Sequence, residues 1–438
     1  MSARVRLLVS GDLHLGRYPS RVPPDDPALS IEAVVRSFVD QAIERAVDAV
    51  VLTGDLADEA NKHFEAFGVL ERMLHRLSDA GVPAYVVAGD HDHDVLGQIV
   101  DAVGSESVRL LGRGETWQTA TLEKRGEAVA RFVGWSFAGP HVHESPVASF
   151  PDLEGDLPAV GVLHGTLDGD GAHAPTSLEA LWQTDAAVWL VGSGHTPRVE
   201  RKGARLVVVP GSPQPLGPAE GGPHHVWLVE VGDGDARATP LPLATVRYDA
   251  LAVDLEGAPD AGVVRERITD ALRRHAHDIH DASPAVRRSV VRLTLSGETP
   301  AYRALEDVAD ELVEAEETQV AGLGIAIDRI EDNARPALDL DRLAEGSGPV
   351  ATLAALADRL TSGELRDADL ELVRRSVETI QQVRRTRAFE PVVRGGRLDD
   401  GLEAEAVARL RRQTYRLLDE ALAQRPSDLA TPDAPDDP

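Results

Sequence analysis

Five short stretches of the chain carry, at close spacing, the side chains that hold divalent metals: Asp12-Leu13-His14, Gly54-Asp55, Gly89-Asp90-His91-Asp92, His164-Gly165 and Gly194-His195-Thr196-Pro197. Carboxylates and imidazoles in this mixture suit hydrolysis of a phosphate ester. That reaction needs a nucleophile at neutral pH and positive charge against the developing negative charge. Two divalent ions roughly 3.5 to 4 Å apart supply both, by lowering the pKa of a bridging water and clamping the phosphate oxygens. Asp12 and His14, two apart on an extended segment, can reach one ion. Asp55 is the candidate bridging carboxylate, and Asp90, His164 and His195 would complete the second ion. His91, beside the metals but not bound to them, would protonate the leaving oxygen, with Asp92 orienting it through its other ring nitrogen. His141, His143, His224 and His225 read as loop or surface histidines, their use as substitute ligands left open.

Five elements must position these groups. Val5 to Val9, Ala49 to Leu52, Ala84 to Val87, Ala159 to Leu163 and Ala187 to Val191 are rich in valine and leucine and too short for helices, so they predict buried strands. Each ends just before its polar group. In an open α/β sheet the C-terminal edge is where ligands bind, so segments distant in the chain can converge there. Residues 1 to 235 alternate such runs with helical patterns at Ile31 to Ala46 and His63 to Ala80, and add a late strand pair near Leu206 to Val209 and Val226 to Val231. They predict a layered α/β domain closed by Gly232-Asp233-Gly234-Asp235. Residues 245 to 335 predict a small α+β domain with a strand at Leu251 to Leu255, helices at Val263 to Arg274 and Ala301 to Glu316, and strands at Val290 to Leu295 and near Ile325 to Ile330. From 336 to 425 the pattern is helical, with apolar stripes Leu353, Leu356, Leu360 and Leu370, Val373, Val377, Ile380. The acidic, Pro-rich tail from Pro426 to Pro438 is expected to be disordered.

The 438 residues carry a formal charge of −28 and include no cysteine. Disulfides, thiolate nucleophiles and Cys-based zinc sites are thereby excluded. Ligands limited to His, Asp and Asn suit manganese, iron or magnesium. The acidity argues against a generally basic nucleic-acid binder; a metal pair would still bring about four positive charges to the site itself. No apolar run reaches the roughly 20 residues of a membrane span, and the expected compartment is the cytoplasm.

The five motifs, in this order, resemble those of the calcineurin-like metallophosphoesterase superfamily: Asp-x-His, Gly-Asp, Gly-Asn-His-Asp/Glu, His and Gly-His-x-His. Pro210-Gly211-Ser212-Pro213-Gln214, then Glu220 and Val226 to Glu230, is similar to the end of the phosphoesterase domain in SbcD-type DNA repair nucleases. Arg329-Ile330-Glu331-Asp332 with Arg335-Pro336 resembles their YhaO-like bacterial branch. The resemblance implies a four-layer α-β-β-α sandwich, a capping domain at 245 to 335, and a helical region at 336 to 425 that docks onto a coiled-coil ATPase of the SbcC type. It further implies a DNA exonuclease with two divalent ions, manganese foremost, acting in DNA repair; a homodimer is left open. The stripe at Leu370 to Ile380 is either a docking face or an ordinary buried helix face. Arg374, Arg375, Arg384, Arg385, Arg387, Arg394 and Arg397 are candidates for contact with DNA or an acidic partner, against a solvated helix surface as the alternative.

Two positions depart from the family. Asp90 stands where an asparagine is expected, which keeps an oxygen ligand but adds charge and should weaken the Lewis acidity of the metal pair. Pro197 stands where the last histidine would bind the first metal, and its side chain offers no donor. Gly194-His195-Thr196-Pro197 is instead similar to the motif of the diadenosine tetraphosphatase and protein phosphatase branch. The alternatives are therefore a scaffold for the ATPase with weakened catalysis, and a nucleotide or phosphoprotein phosphatase.

Overall fold

The structure, a computed structural model, describes residues 4–59, 65–169, 173–232, 234–315, 317–384 and 401–423. Arg385, Arg387, Arg394, Arg397 and the tail from Pro426 lie outside them, as does the side chain of Arg384. The chain forms two compact units. The first comprises residues 1–250, 272–292 and 315–328, and the second 251–271, 293–314 and 329–438.

The first unit is built on two six-stranded sheets. Strands β1 (Val5–Ser10), β2 (Ala49–Leu52), β3 (Ala84–Val86) and β4 (Val108–Leu110) run parallel as neighbours, and antiparallel β11 (Val226–Gly232) and β12 (Asp235–Leu241) extend the other edge. The second sheet has the order β5-β6-β7-β8-β10-β9, with β5 Gln118–Lys124, β6 Glu127–Trp135, β7 Ala159–His164, β8 Val188–Gly192, β9 Arg198–Lys202 and β10 Arg205–Val209.

Period-two alternation sorts the side chains into layers. Leu7 and Val9 of β1 pack with Phe132, Val160, Val188 and Leu190 between the sheets. Leu8 points the other way, onto Phe38 of α1 (Ile31–Glu44), Leu70 and Leu74 of α2 (Phe67–Asp79) and Ile99 of α3 (Leu96–Val103). Beyond the second sheet, Leu163, Trp189 and Val207 meet Leu181 of α4 (Leu178–Trp182). The result is the four-layer α-β-β-α sandwich. Each such Leu, Val or Phe buried contributes about 1.5–3 kcal/mol. Ser30 starts α1 by accepting from Ala33 N at 3.3 Å, satisfying one of the amides a helix leaves unpaired at its start.

A further sheet has the order β13-β14-β17-β16, with β13 Val246–Asp254, β14 Arg288–Ser296, β16 Thr318–Val320 and β17 Leu323–Asp332; α5 (Ala261–Ala282) lies between β13 and β14 in the chain. In the second unit, α6 (Leu305–Glu314) precedes α7 (Leu340–Ala344), α8 (Pro349–Ser362), α9 (Asp367–Arg384) and α10 (Leu402–Ala423). Val373, Val377 and Ile380 of α9 pack against Leu402, Ala406 and Leu410 of α10, so most of that stripe is internal core, while Leu370 is 40% exposed. Arg374 and Arg375 pair with Glu371 on the helix surface. Among the described residues no helix is long and apolar enough to cross a membrane.

Candidate metal centre

The strand ends bring the polar groups of both sheets together. After β1 the chain turns through Asp12 and His14, and after β2 through Asp55, all three with positive φ (49°, 46° and 51°). Such backbone costs about 1–3 kcal/mol per non-glycine residue and gathers at functional sites. Ladder-like hydrogen bonds hold it in place: Asp12 N to Gly54 O at 2.9 Å, His14 N to Asp55 O at 3.0 Å and Leu15 N to Leu56 O at 3.0 Å. Gly89 is required sterically, because a Cβ there would lie 2.1 Å from Asp55 Oδ1.

His14, His164 and Asp55 are buried, with side-chain exposures of 2%, 0% and 5%. His164 donates from Nδ1 to Thr53 O at 2.8 Å, which leaves the lone pair on Nε2. That nitrogen lies 3.6 Å from Asp55 Oδ2 and 3.3 Å from Asp90 Oδ1, without hydrogen-bond geometry to any partner. His195 makes the same arrangement through a carboxylate: Nδ1 is 2.8 Å from Glu220 Oε1, and Nε2 is 3.1 Å from His14 Nε2. Two imidazole nitrogens at this separation match adjacent ligands each about 2.1 Å from one ion. Ligand atoms of Asp12, His14 and His195 lie within 4.8 Å of one another, as do those of Asp12, Asp55 and His164 and those of His14, Asp55 and His91. An unpartnered buried nitrogen facing carboxylates fits a divalent cation.

The charges perturb one another strongly. Burial opposes protonation of His164, but Asp55, Asp90 and Asp12 outweigh it and raise its pKa to about 10. Burial would raise Asp90, yet His164, His173 and His91 hold it well below the carboxylate range. Asp12 is raised, by burial first and by Asp55, against the pull of the nearby imidazoles.

The calcineurin-like phosphoesterase superfamily domain matches residues 5–234, and the middle domain of the metallophosphoesterase YhaO matches residues 248–335. The chain belongs to the calcineurin-like phosphoesterase superfamily. This phosphoesterase is 28% identical over 294 residues to the uncharacterized metallophosphoesterase YhaO of Bacillus subtilis, covering 66% of this chain and 70% of that one. It is 28% identical over 313 residues to the DNA double-strand break repair protein Mre11 of Haloferax volcanii, covering 70% and 65%, and 25% identical over 329 residues to Mre11 of Methanosarcina mazei, covering 72% and 48%. The matches thus span about half to 70% of these relatives' length. Among solved structures, TT1561 of Thermus thermophilus aligns with a TM-score of 0.34 at 18% identity, covering 54% of this chain and 99% of that one.

In this phosphoesterase Asp12, His14, Asp55, Asp90, His91, His164 and His195 converge. Asp92 does not serve His91. Its carboxylate is buried and accepts from Leu56 N at 2.7 Å and Gly89 N at 2.8 Å, tying the loops that carry Asp55 and Asp90. His91 lies 3.9–4.0 Å from Asp55, Asp58 and Asp90. His195 groups with Asp12 and His14 rather than with Asp90 and His164.

Two residues, Asp58 and His173, are not singled out by the sequence. Asp58 Oδ2 is 3.4 Å from His14 Nδ1; its signal was position, three residues past Asp55. His173 Nδ1 is 3.0 Å from Asp90 Oδ2. Glu220 was visible as part of a motif but not as a partner of His195. His224 lies on a loop, as expected, but is 3% exposed, with Nδ1 2.6 Å from Ser212 O and Nε2 3.1 Å from Glu220 O.

Proposed function

We propose that the chain is a metal-dependent DNA nuclease that uses manganese to hydrolyse phosphodiester bonds and acts in DNA repair with a coiled-coil ATPase of the SbcC type. The observation that carries the reading is the difference among the site's imidazoles. His14 and His164 are buried, and both ring nitrogens of His195 are committed, to Glu220 and toward His14. His91 is 33% exposed and has no hydrogen bond to its carboxylate neighbours, so it is the imidazole free to meet a substrate oxygen. The likeness to Mre11, a double-strand break repair protein, supports DNA as the substrate.

Bound divalent ions supply the activated water and the charge that phosphate ester hydrolysis needs. Asp12, His14, Asp55, Asp90, His164 and His195 would hold them. Thr53 O and Glu220 keep protons on the Nδ1 atoms of His164 and His195, so the Nε2 lone pairs point inward. His91 gives its Nε2 proton to the leaving oxygen.

With manganese, the purified protein should degrade linear duplex DNA in preference to a dinucleotide or a phosphopeptide. His91→Ala should lower that rate about 100-fold or more at unchanged metal content. Full activity in His91→Ala, or preference for the phosphopeptide, rejects the reading. Asp90 and Pro197 favour a second reading, a scaffold for the ATPase. Activity that appears only after Asp90→Asn with Pro197→His would support the scaffold.

A further inference from the structure

Pro197 offers no side-chain donor at the position where the resemblance implies a ligand to the first metal. The Pro197 ring packs on Gly211, whose φ is +75° and where a Cβ would lie 2.7 Å from the ring atoms. No donor can come from this position. Two residues earlier, His195 Nε2 sits 3.1 Å from His14 Nε2. Among the described residues His195 enters a ligand group only with Asp12 and His14.

The orientation of His195 is built by neighbouring groups. Glu220 Oε1 accepts from Nδ1 at 2.8 Å, while Oε2 accepts from Leu216 N at 2.9 Å and from Ser212 Oγ at 3.2 Å. Ser212 N in turn donates to His195 O at 3.0 Å. His224 Nδ1 lies 2.6 Å from Ser212 O and its Nε2 3.1 Å from Glu220 O. A carboxylate fixed at both oxygens selects the tautomer with its lone pair on Nε2 and sets the ring plane. The His195 Nε2 lone pair then faces His14 Nε2 at 3.1 Å, a separation that adjacent ligands of one ion share.

We propose that His195 serves the first metal, together with Asp12, His14 and Asp55, and that Glu220 is the positioning residue that directs it there. One oriented imidazole replaces the ligand that Pro197 cannot offer. The second metal then keeps Asp55, Asp90 and His164. With one imidazole fewer, the carboxylate of Asp90 supplies in charge what that site gives up in ligand number. The two departures from the family pattern are in this view one change made in two places. The inference rests on the reading of the chain as a metal-dependent phosphoesterase.

Calorimetric titration of the full chain with manganese, and the free-manganese resonance as a second readout, test the assignment through paired variants. In an Asp90→Ala background, where the second site is weakened, His195→Ala should lower the remaining affinity more than about tenfold. In a His14→Ala background, where the first site is already lost, it should change nothing. The reverse pattern, with loss in the His14→Ala background and none in the Asp90→Ala background, returns His195 to the second metal and overturns the proposal. Glu220→Gln should weaken the same ion about tenfold, with an unchanged far-ultraviolet circular dichroism spectrum; unchanged affinity removes the positioning role. Wild-type protein that binds no manganese would defeat the proposed function itself, whereas two ions bound with the reverse pattern would defeat this assignment alone.

Discussion

Replacing Asp92 with alanine separates a loop tie from a partner of His91. The carboxylate is buried and accepts from two backbone amides, Leu56 N at 2.7 Å and Gly89 N at 2.8 Å. Alanine leaves both amides in the interior without an acceptor, at about 1–3 kcal/mol each and so about 2–6 kcal/mol together. Against this, deletion removes a carboxyl whose pKa burial, with Asp55 adding to it, has pushed up to about 7 despite those amides and His164. Relief of that burial returns part of the loss, leaving a net cost of about 3 kcal/mol. In a unit of this size that lowers the melting temperature by about 6–12 °C. Calorimetry of metal-free protein measures it, with His91→Ala as the control: that ring is partly exposed, and its loss should cost less than about 1 kcal/mol. The two variants should thus be opposites, Asp92→Ala unstable and His91→Ala stable but slow. A metal-free Asp92→Ala protein melting within about 2 °C of wild type would refute the tie.

His275 is held below its ordinary pKa by burial first and by Arg247, with Asp249 opposing. A depressed histidine gives stability that is complete above about pH 6.5 and lost as pH falls through its lower folded value. His275→Gln should therefore flatten the decline in melting temperature below that pH and leave the comparison above it unaltered; a parallel decline in both proteins counts against the reasoning. Asp90 Oδ2 and His173 Nδ1 are 3.0 Å apart, but His173 is 43% exposed, so the pair is worth about 0.5–1 kcal/mol of stability. His173→Ala should show that loss beside Asp90 and none beside Asp90→Asn, read by urea unfolding of the protein in chelator; equal losses would deny the coupling. Gly161 lies under Trp189, where a Cβ would fall 2.5 Å from the ring, so Gly161→Ala should cost about 1–3 kcal/mol by overpacking, checked by urea unfolding, and a neutral result would show that the ring can move.

The parallel strands were legible because a strand buried on both faces is an unbroken apolar run, and Ala49 to Leu52 or Ala159 to Leu163 can be little else. Ligand positions followed, since each polar group sits just past such a run. The paired strands Gln118–Lys124 and Glu127–Trp135 were not legible. The first mixes polar and small residues, and its pairing depends on a partner that local pattern does not reveal. On α8 the buried stripe is Val350, Ala351, Ala354, Ala357 and Leu360, with Leu353 partly buried against it, so alanines carry much of a face that a pattern of leucines does not reveal. The contacts of Glu220 and Asp92 were not legible for one reason. Their partners are His195, 25 residues away, and the Leu56 amide, 36 residues away, and only convergence of the loops defines either role.

Without a bound cation the centre is built against itself, so a divalent ion should have a measurable effect on stability. Asp12, Asp55 and Asp92 are all buried, Asp90 lies beside them, and Asp12, His14 and Asp55 hold unfavourable φ angles. An ion that binds only the folded state stabilises it by about 2.7 kcal/mol at a hundredfold excess over its dissociation constant. Two sites filled in this way add about 5 kcal/mol, so a chelator should lower the melting temperature and manganese restore it. Asp12→Asn sharpens the test. An amide oxygen can still accept from Ser193 N, which lies 3.0 Å from Asp12 Oδ1, while the cost of burying that charge disappears. The variant should therefore melt at or above the wild-type temperature in chelator and gain less than wild type from manganese. A wild-type protein indifferent to manganese, or an Asp12→Asn protein that keeps the full gain, would mean that these carboxylates are gathered for some purpose other than holding metal.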